Sequence, residues 1–442
     1  MEDAYIVKGG KKLKGNVVIS GAKNVALKAI IASLLFEGYV ILENVPRIND
    51  VDELMNLIRA LGAKAAFSEK NKVKIDSSIM DKNKVDLLHA SKIRVSFMLF
   101  APLLHRFKKC YVPNPGGCRI GARPIDRIIE GMKQLGVKVN YNSGTGFYKA
   151  EMKEEGIKGE YTFGKPSHTG TEILIMLSAL GKNKVILNNT ALEPEVDELI
   201  KFLNESGADI KKEGSRILIK GVSKLVQKKP FQIMSDRNEA VTFAVLAVAT
   251  KGEVTIEKIP IFLIEEFIKC LKKAGGGVEI YNNQKVRFFY HESLNSLNIE
   301  TSPHPGFMTD WQPNWAVLMT QAKGESIIHE RVFENRFSYV NELKKLGAKI
   351  EFIPLGVANP KDFYNFDYNP EKIYQQAIKI TGHTPLHNAA LQIKDLRAGA
   401  SLIIAALVAT GESVVQGASI VERGYEDFEK KVQLLGGKVK KI

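Results

Sequence analysis

Val51-Asp52-Glu53-Leu54-Met55-Asn56-Leu57-Ile58-Arg59-Ala60-Leu61-Gly62 is the stretch on which the fold turns. Counting back from Gly62 by 4, 7, 8 and 11 residues gives Ile58, Met55, Leu54 and Val51. That is one apolar face of an amphipathic helix, and glycine just past its end is a usual C-cap. The same face precedes Gly136 (Met132, Ile129, Ile128, Ile125), Gly207 (Leu203, Ile200, Leu199, Val196) and Gly275 (Leu271, Ile268, Phe267, Ile264). Looser copies precede Gly347 (Leu343, Val340, Tyr339, Arg336) and Gly436 (Val432, Glu429, Phe428, Tyr425). The six glycines stand 74, 71, 68, 72 and 89 residues apart, the mark of a repeated supersecondary unit.

Working outward, a second helix is expected before each of these, at 26–36, 95–104, 172–180, 240–250, 315–321 and 400–410. These segments are apolar nearly all round, so they belong inside, whereas their amphipathic partners have one wet side. Short alternating strands such as 72–75 and 216–219 follow the amphipathic helices. Each unit reads helix, strand, helix, strands, giving an α/β fold with apolar helices inside a shell. Six such units make two domains of three, with the seam near 224–233. Residues 22–230 are expected to form the first domain, and 1–21 with 231–442 the second, strand 4–7 returning to the latter. The 89-residue last interval holds an insertion at 354–375, rich in Tyr, Asn, Asp and Pro, which reads as a long surface loop.

Composition narrows the function. Hydrophobic residues are 45% and charged residues 25% of 442, an ordinary globular mixture. Three cysteines cannot be a disulfide framework, and the opening residues hold no apolar core of a signal peptide. No apolar run reaches the ~20 residues needed to span a bilayer. A cytoplasmic protein without membrane insertion is expected. The +14 net charge comes from scattered lysines, with no arginine-rich tract bearing interleaved aromatics, which argues against a nucleic-acid partner. No spacing of metal ligands is visible, so neither metal nor cofactor is expected.

Polar residues gather just before the helices at matched places. Arg123 and Arg423 lie thirteen residues before their stop glycines, and Arg336 eleven before its own. Lys23 and Asn24, Arg94, Lys165 to His168, Asp236 and Arg237, Asp310, and Asp395 with Arg397 precede the apolar helices. Helix N-termini favour anions, and added cations there would build a pocket for phosphate and carboxylate groups. The bland account makes Asp and Asn simple N-caps and the arginines salt-bridge partners. The sharpest local signal is Asn114-Pro115-Gly116-Gly117-Cys118-Arg119-Ile120-Gly121-Ala122-Arg123-Pro124. A cysteine in a Gly/Pro loop between two arginines suits a chemical role, unlike Cys110 beside its strand and Cys270 inside its helix.

These residues resemble a known family. Gly21-Ala22-Lys23-Asn24, Gly116-Gly117-Cys118, Gly121-Ala122-Arg123-Pro124-Ile125-Asp126 and Asp236-Arg237-Asn238-Glu239-Ala240 are similar to signatures of the UDP-N-acetylglucosamine 1-carboxyvinyltransferases. So are Pro305-Gly306-Phe307-Met308-Thr309-Asp310, Phe333-Glu334-Asn335-Arg336-Phe337, Asp395-Leu396-Arg397 and Arg423-Gly424-Tyr425. The matches run from about residue 4 to 440. The resemblance implies two inside-out α/β barrel domains, each of three repeats in pseudo-threefold arrangement. It implies enolpyruvyl transfer from phosphoenolpyruvate to the 3-hydroxyl of UDP-N-acetylglucosamine with release of phosphate, the first committed step of peptidoglycan synthesis. By the same resemblance Asp310 is the base, Cys118 the proton donor, and Lys23, Arg123 and Arg397 the cations on phosphate and carboxylate, with Asn24 at the reacting centre. Arg94, Arg123, Pro124, Ile125, Asp126, Arg127, Lys165, Pro166, Ser167, His168 and Val332 match nucleotide-sugar contacts, and Arg336, Asp395 and Arg423 complete the substrate-binding set. Domain closure over the cysteine loop would exclude water. The partners implied are the two small substrates, on a monomer or weak homo-oligomer.

The sequence departs from the family where Arg127-Ile128 replace Leu-His, where Leu192 replaces an arginine, and where Trp311 follows Asp310 and could reshape the sugar pocket. The rival readings are transfer to another acceptor, shikimate 3-phosphate among them, and a non-catalytic nucleotide-sugar-binding relative. Because fosfomycin alkylates the family's cysteine, it should inactivate wild-type protein and spare Cys118→Ser in a labelling assay. Equal labelling of both would contradict the assignment of Cys118.

Overall fold

Glycine sets the period of the chain. Gly62, Gly136, Gly207, Gly275, Gly347 and Gly436 have φ between +88° and +107°, each one residue beyond the turn that ends an amphipathic helix. A side chain with Cβ resists this left-handed backbone, so glycine is what lets the chain reverse into the next strand. The protein is described by a computed structural model, which covers residues 3–116 and 125–442.

Twelve helices carry the pattern, an apolar one followed by an amphipathic one. They are α1 (Lys23–Ala32), α2 (Asn49–Ala60), α3 (Phe100–Phe107), α4 (Asp126–Gln134), α5 (His168–Ala179) and α6 (Pro194–Glu205). After them come α7 (Arg237–Ala249), α8 (Glu265–Lys273), α9 (Gln312–Thr320), α10 (Val340–Lys345), α11 (Leu396–Val408) and α12 (Phe428–Leu434). Every residue of α7 and of α9 is buried. The apolar helices begin about a turn earlier than the sequence pattern suggests. Their first turns take in the polar residues expected just before them, with Ser167, Asp236 and Asp395 as N-caps. The second repeat differs: residues 94–99 wind as a 3₁₀ segment and only then pass into α3. Pro102 explains this, because its ring would clash with the Met98 carbonyl in a continuous α-helix.

Among the described residues the strands form six small sheets. In the first, Lys64–Glu69 and Lys72–Asp76 form a hairpin, Tyr39–Glu43 pairs antiparallel with the latter, and Phe231–Gln232 adds a parallel edge. The same order recurs at Asp209–Glu213, Arg216–Lys220, Lys184–Asn188 and Gly159–Thr162, and at Gly277–Asn282, Lys285–Phe289, Glu253–Glu257 and Lys14–Val18. The last sheet shows why the chain's opening strand matters. Its Ala4–Lys8 lies between Glu412–Gln416 and Lys438–Lys441, in the place a second hairpin strand takes elsewhere. The strand Ala4–Lys8 thereby completes that sheet from the far end of the sequence.

The described residues form two compact units, 21–116 with 125–234, and 3–20 with 235–442. Inside the second, three apolar helices are pinned by a buried polar chain. Ser401 Oγ on α11 donates to Asn314 Oδ1 on α9 at 2.8 Å, Asn314 Nδ2 donates to Thr242 Oγ1 on α7 at 3.1 Å, and Thr242 lies 2.9 Å from the Tyr425 hydroxyl. Satisfied in this way, such groups set the register of helices whose apolar surfaces alone would slide. Among the described residues no helix is long and apolar enough to cross a membrane.

The glycine argument can be weighed. At Gly207 (φ +107°) an added Cβ meets nothing within 4 Å, whereas at Gly62 (φ +98°) it would lie 2.6 Å from Asp81 Oδ1. Gly207→Ala should therefore cost about 1–2 kcal/mol in urea unfolding, the backbone penalty alone, and Gly62→Ala more. A neutral Gly207→Ala would show that the left-handed turn is not what ends the helix.

Candidate active site

The expected site residues are divided between the two units. In the first, α1 opens at Lys23, which is buried with Nζ 2.5 Å from Asp50 Oδ2 in the first turn of α2. Asn24, next along α1, is half-buried. Arg94 opens the 3₁₀ segment, its guanidinium 5.7 Å from the Phe97 ring. Ile125 is the N-cap residue of α4 and Asp126 its first residue, while the Arg127 carbonyl accepts from the Tyr161 hydroxyl at 3.0 Å. Lys165, Pro166, Ser167 and His168 lead into α5, where Ser167 Oγ accepts from Gly170 N at 3.2 Å. Cys118, Arg123 and Pro124 lie outside the described residues. The segment leading to them is held at Gly116, where an added Cβ would lie 1.6 Å from the Ser91 carbonyl oxygen.

A buried ionic network in this unit was not foreseen. Glu172, fully buried on α5, receives Lys28 Nζ of α1 at 3.0 Å on Oε2, and His168 Nε2 lies 3.3 Å from Oε1. The lysine inside an apolar helix and the His168/Glu172 spacing of four were the signals available. Burial pushes Glu172 up, but His168 and then Lys28 outweigh it and leave the carboxyl below its usual value. Burial likewise disfavours the imidazolium, but Glu172 outweighs burial and the opposing Lys28, so His168 is raised, with Glu193 adding to it. The network ties the helix that carries Lys23 and Asn24 to the segment 165–168.

In the second unit the expected residues converge on one carboxylate. Asp310 accepts from Arg336 Nη2 at 2.8 Å on Oδ1 and from Arg397 Nε at 3.3 Å on Oδ2. Burial alone would push the Asp310 carboxyl up; Arg336 and then Arg397 outweigh it and hold it well below the carboxylate range. Asp395 caps α11 by accepting from Arg397 N at 3.0 Å and Ala398 N at 3.1 Å, and also takes Ser338 Oγ at 3.3 Å. The cap fixes where Arg397 leaves the helix, and the Tyr425 ring lies 5.2 Å from its guanidinium. Arg423, by contrast, closes the short helix Ala418–Glu422.

Behind Asp310 stands a residue the sequence reading missed, Glu330, which is fully buried. Its Oε2 accepts from Thr309 Oγ1 at 2.8 Å and its Oε1 from the backbone N–H groups of Val332 (2.8 Å) and Phe333 (3.0 Å). Arg336 Nη1 donates to Thr309 Oγ1 at 2.8 Å, so Glu330, Thr309, Arg336 and Asp310 form one chain. Burial raises the Glu330 carboxyl, opposed by Arg336. Trp311 does not reshape this site. Its side chain is packed edge-on against Phe307 and Phe267 (centroids 5.5 and 6.1 Å) inside the apolar core. Arg336 Nε and Arg397 Nη1 are buried with no hydrogen-bond partner among the described residues, which leaves cationic donors for an anion. An ionised carboxylate with spare arginine donors can accept a hydroxyl proton beside a bound anion.

The chain is similar to known proteins along its whole length. Residues 7–432 match the family model for EPSP synthase (3-phosphoshikimate 1-carboxyvinyltransferase). The chain is 37% identical over 441 residues to the UDP-N-acetylglucosamine 1-carboxyvinyltransferase of Idiomarina loihiensis, covering 100% of this chain and 99% of that one. It is likewise 37% identical over 442 residues to the protein of the same name from Desulfatibacillum aliphaticivorans, covering all of both. In fold it is similar to the enolpyruvyl transferase NikO from Streptomyces tendae (TM-score 0.86, 21% identity, 100% and 99% covered). It is similar also to EPSP synthase from Acinetobacter baumannii (TM-score 0.69, 19% identity, all of both chains covered).

The ionic network makes a pH prediction. A raised folded pKa for His168 means its contribution is fully present below the unfolded value of 6.5 and is lost as pH rises through the folded value. In urea unfolding, wild type should exceed His168→Gln most at about pH 6, and the gap should shrink toward about pH 9. A gap that widens with pH would overturn the assigned charge.

Proposed function

The chain belongs to the UDP-N-acetylglucosamine 1-carboxyvinyltransferase family of enolpyruvyl transferases, and from that premise we propose that it transfers the enolpyruvyl group of phosphoenolpyruvate to the 3-hydroxyl of UDP-N-acetylglucosamine. Phosphate is released, and the product enters peptidoglycan synthesis in the cytoplasm. The domains are read as two inside-out α/β barrels of three repeats each, acting as a monomer or weak homo-oligomer. The observation that carries the reading is Asp310 bridging Arg336 and Arg397, with arginine donors to spare.

The reaction is an addition followed by an elimination. The sugar oxygen bonds to C2 of phosphoenolpyruvate while C3 gains a proton, and then C3 loses a proton as phosphate departs. Asp310 takes the hydroxyl proton, Cys118 supplies the proton to C3, and Lys23, Arg123 and Arg397 balance the charge of phosphate and carboxylate, with Asn24 at the reacting centre. A carboxylate flanked by two arginines is a weak base. When the anionic donor engages Arg397, its pull on Asp310 falls and the carboxylate becomes more basic, so the base gains strength as the donor binds. Arg94, Ile125 to Arg127, Lys165 to His168 and Val332 serve the nucleotide sugar. The family model is described by the shikimate enzyme, but the full-length relatives at 37% identity bear the nucleotide-sugar name, which favours that acceptor.

Phosphate release from phosphoenolpyruvate, measured with UDP-N-acetylglucosamine and with shikimate 3-phosphate, tests the reading. Release should require the nucleotide sugar and fall by about 100-fold or more in Asp310→Ala and Cys118→Ala. Release with shikimate 3-phosphate instead would overturn the acceptor, and undiminished release in Asp310→Ala would overturn the base.

A further inference from the structure

In three other sheets the hairpin after the amphipathic helix closes through two residues, at 70–71, 214–215 and 283–284. Here, after α10, Lys349–Phe352 reaches its partner strand Ala377–Gly382 only through residues 353–376. The added segment is ordered by its own aromatics around the short helix Pro360–Phe363. Tyr364 stacks on Phe366 (4.9 Å, 27°) and Tyr368 (5.8 Å, 16°), and Tyr374 packs on Phe366 (5.2 Å) and Tyr368 (5.1 Å). Tyr364 and Phe366 are each 6% exposed, so this is a small core rather than a loose loop.

One face of that core is fastened to residues 329–336. The Arg331 guanidinium lies 3.9 Å from the centre of the Phe363 ring and donates through Nη2 to the Phe363 carbonyl at 3.2 Å. Asn365 N donates back to the Arg331 carbonyl at 2.8 Å, and the Tyr364 hydroxyl is 3.1 Å from His329 Nε2. At the exit, Gln375 N donates to Asn335 Oδ1 and Asn335 N to Gln376 Oε1, both at 2.7 Å. Gln376 Nε2 donates to the carbonyls of Glu330 (2.7 Å) and Phe333 (3.0 Å). Residues 330–336 are thus tied on one side to Thr309 and Asp310, through Glu330 and Arg336, and on the other to the insertion and the adjoining Gln376.

We propose that residues 354–375 are a fixed brace that positions the Val332 end of the segment 330–336 for the nucleotide-sugar acceptor, making the insertion a determinant of acceptor affinity that leaves donor handling alone, because Arg336 is held separately by Thr309 and Asp310. The inference rests on the reading that Val332 serves the acceptor. Arg331, Phe363, Tyr364 and Gln376 are positioning residues, since they act through the backbone they hold. A loop held in its bound shape loses less conformational entropy on binding, which is how a brace remote from the chemistry raises affinity.

The test replaces residues 354–374 by a two-residue turn and compares steady-state kinetics, with calorimetric binding of UDP-N-acetylglucosamine as a readout independent of turnover. The acceptor KM and Kd should rise about tenfold, while the phosphoenolpyruvate KM stays within about twofold and kcat within about threefold. Arg331→Met, a smaller change should the excised chain not fold, should raise the acceptor KM about threefold, and Arg331→Lys should recover part of the loss. An unchanged acceptor KM in an active variant overturns the brace, as does a joint rise of both KM values with a fall in kcat. Wild-type protein that neither turns over nor binds this acceptor would instead overturn the functional reading, and the brace's role with it.

Discussion

A helix with no polar face cannot rest against water, and among the described residues α7 and α9 are buried on every side. Burying α7 or α9 on every side takes more surface than one hairpin and one amphipathic helix can supply, so a single repeat cannot stand alone. The repeats within each unit must share a core, and the rest of the architecture follows. Glycines in the left-handed conformation turn each amphipathic helix back into a strand. Edge strands are lent between repeats, as Phe231–Gln232 is lent to the first sheet and Ala4–Lys8 to the last.

Helices buried on all sides also concentrate chemistry at their ends, where backbone N–H groups lack partners. In α5, α7 and α11 the first turn is capped by Ser167, Asp236 and Asp395. Charges that would be ruinous alone at such depth are held in sets. Asp310 takes two arginines, Glu172 takes Lys28 and His168, and Glu239 takes Lys431 together with Ser20 N. Glu330 shows the same economy with neutral donors, gathering one hydroxyl, one side-chain amide and two backbone amides on a single carboxylate. The result at Asp310 is an ionised group whose basicity depends on what its arginines are doing, which suits a site that must wait for an anionic substrate.

How far these features were legible depended on distance along the chain. The glycine stops, the apolar helices and the polar clusters at helix starts are local patterns, and each is visible within a dozen residues. Asp310, Arg336 and Arg397 could be named as site residues from their motifs, but the Asp310–Arg397 contact spans 87 positions and left no trace in spacing. Glu330 sits in the strand-to-loop passage Gly324-to-Phe337 with no periodicity to mark it, and its role exists only because Thr309 and the Val332 amide meet it in space. Trp311 was misleading for the opposite reason: it adjoins Asp310 in sequence, yet its ring turns into the core against Phe307.

The amino-acid sequence by itself determined the repeat, the wet and dry faces of most helices and the glycine turns that end the amphipathic ones, because hydrophobic period and glycine φ are properties of short segments. The tertiary structure alone decided which charges meet and what the long insertion touches. Ion pairs and braces are made between residues far apart in the chain, and their energies depend on burial and on partners that only the folded chain brings within a few ångströms. Thus Lys28 inside an apolar helix meets Glu172, with His168 on the same carboxylate, only in the folded chain, and residues 354–375, read as a long surface loop, prove to hold Arg331 against Phe363.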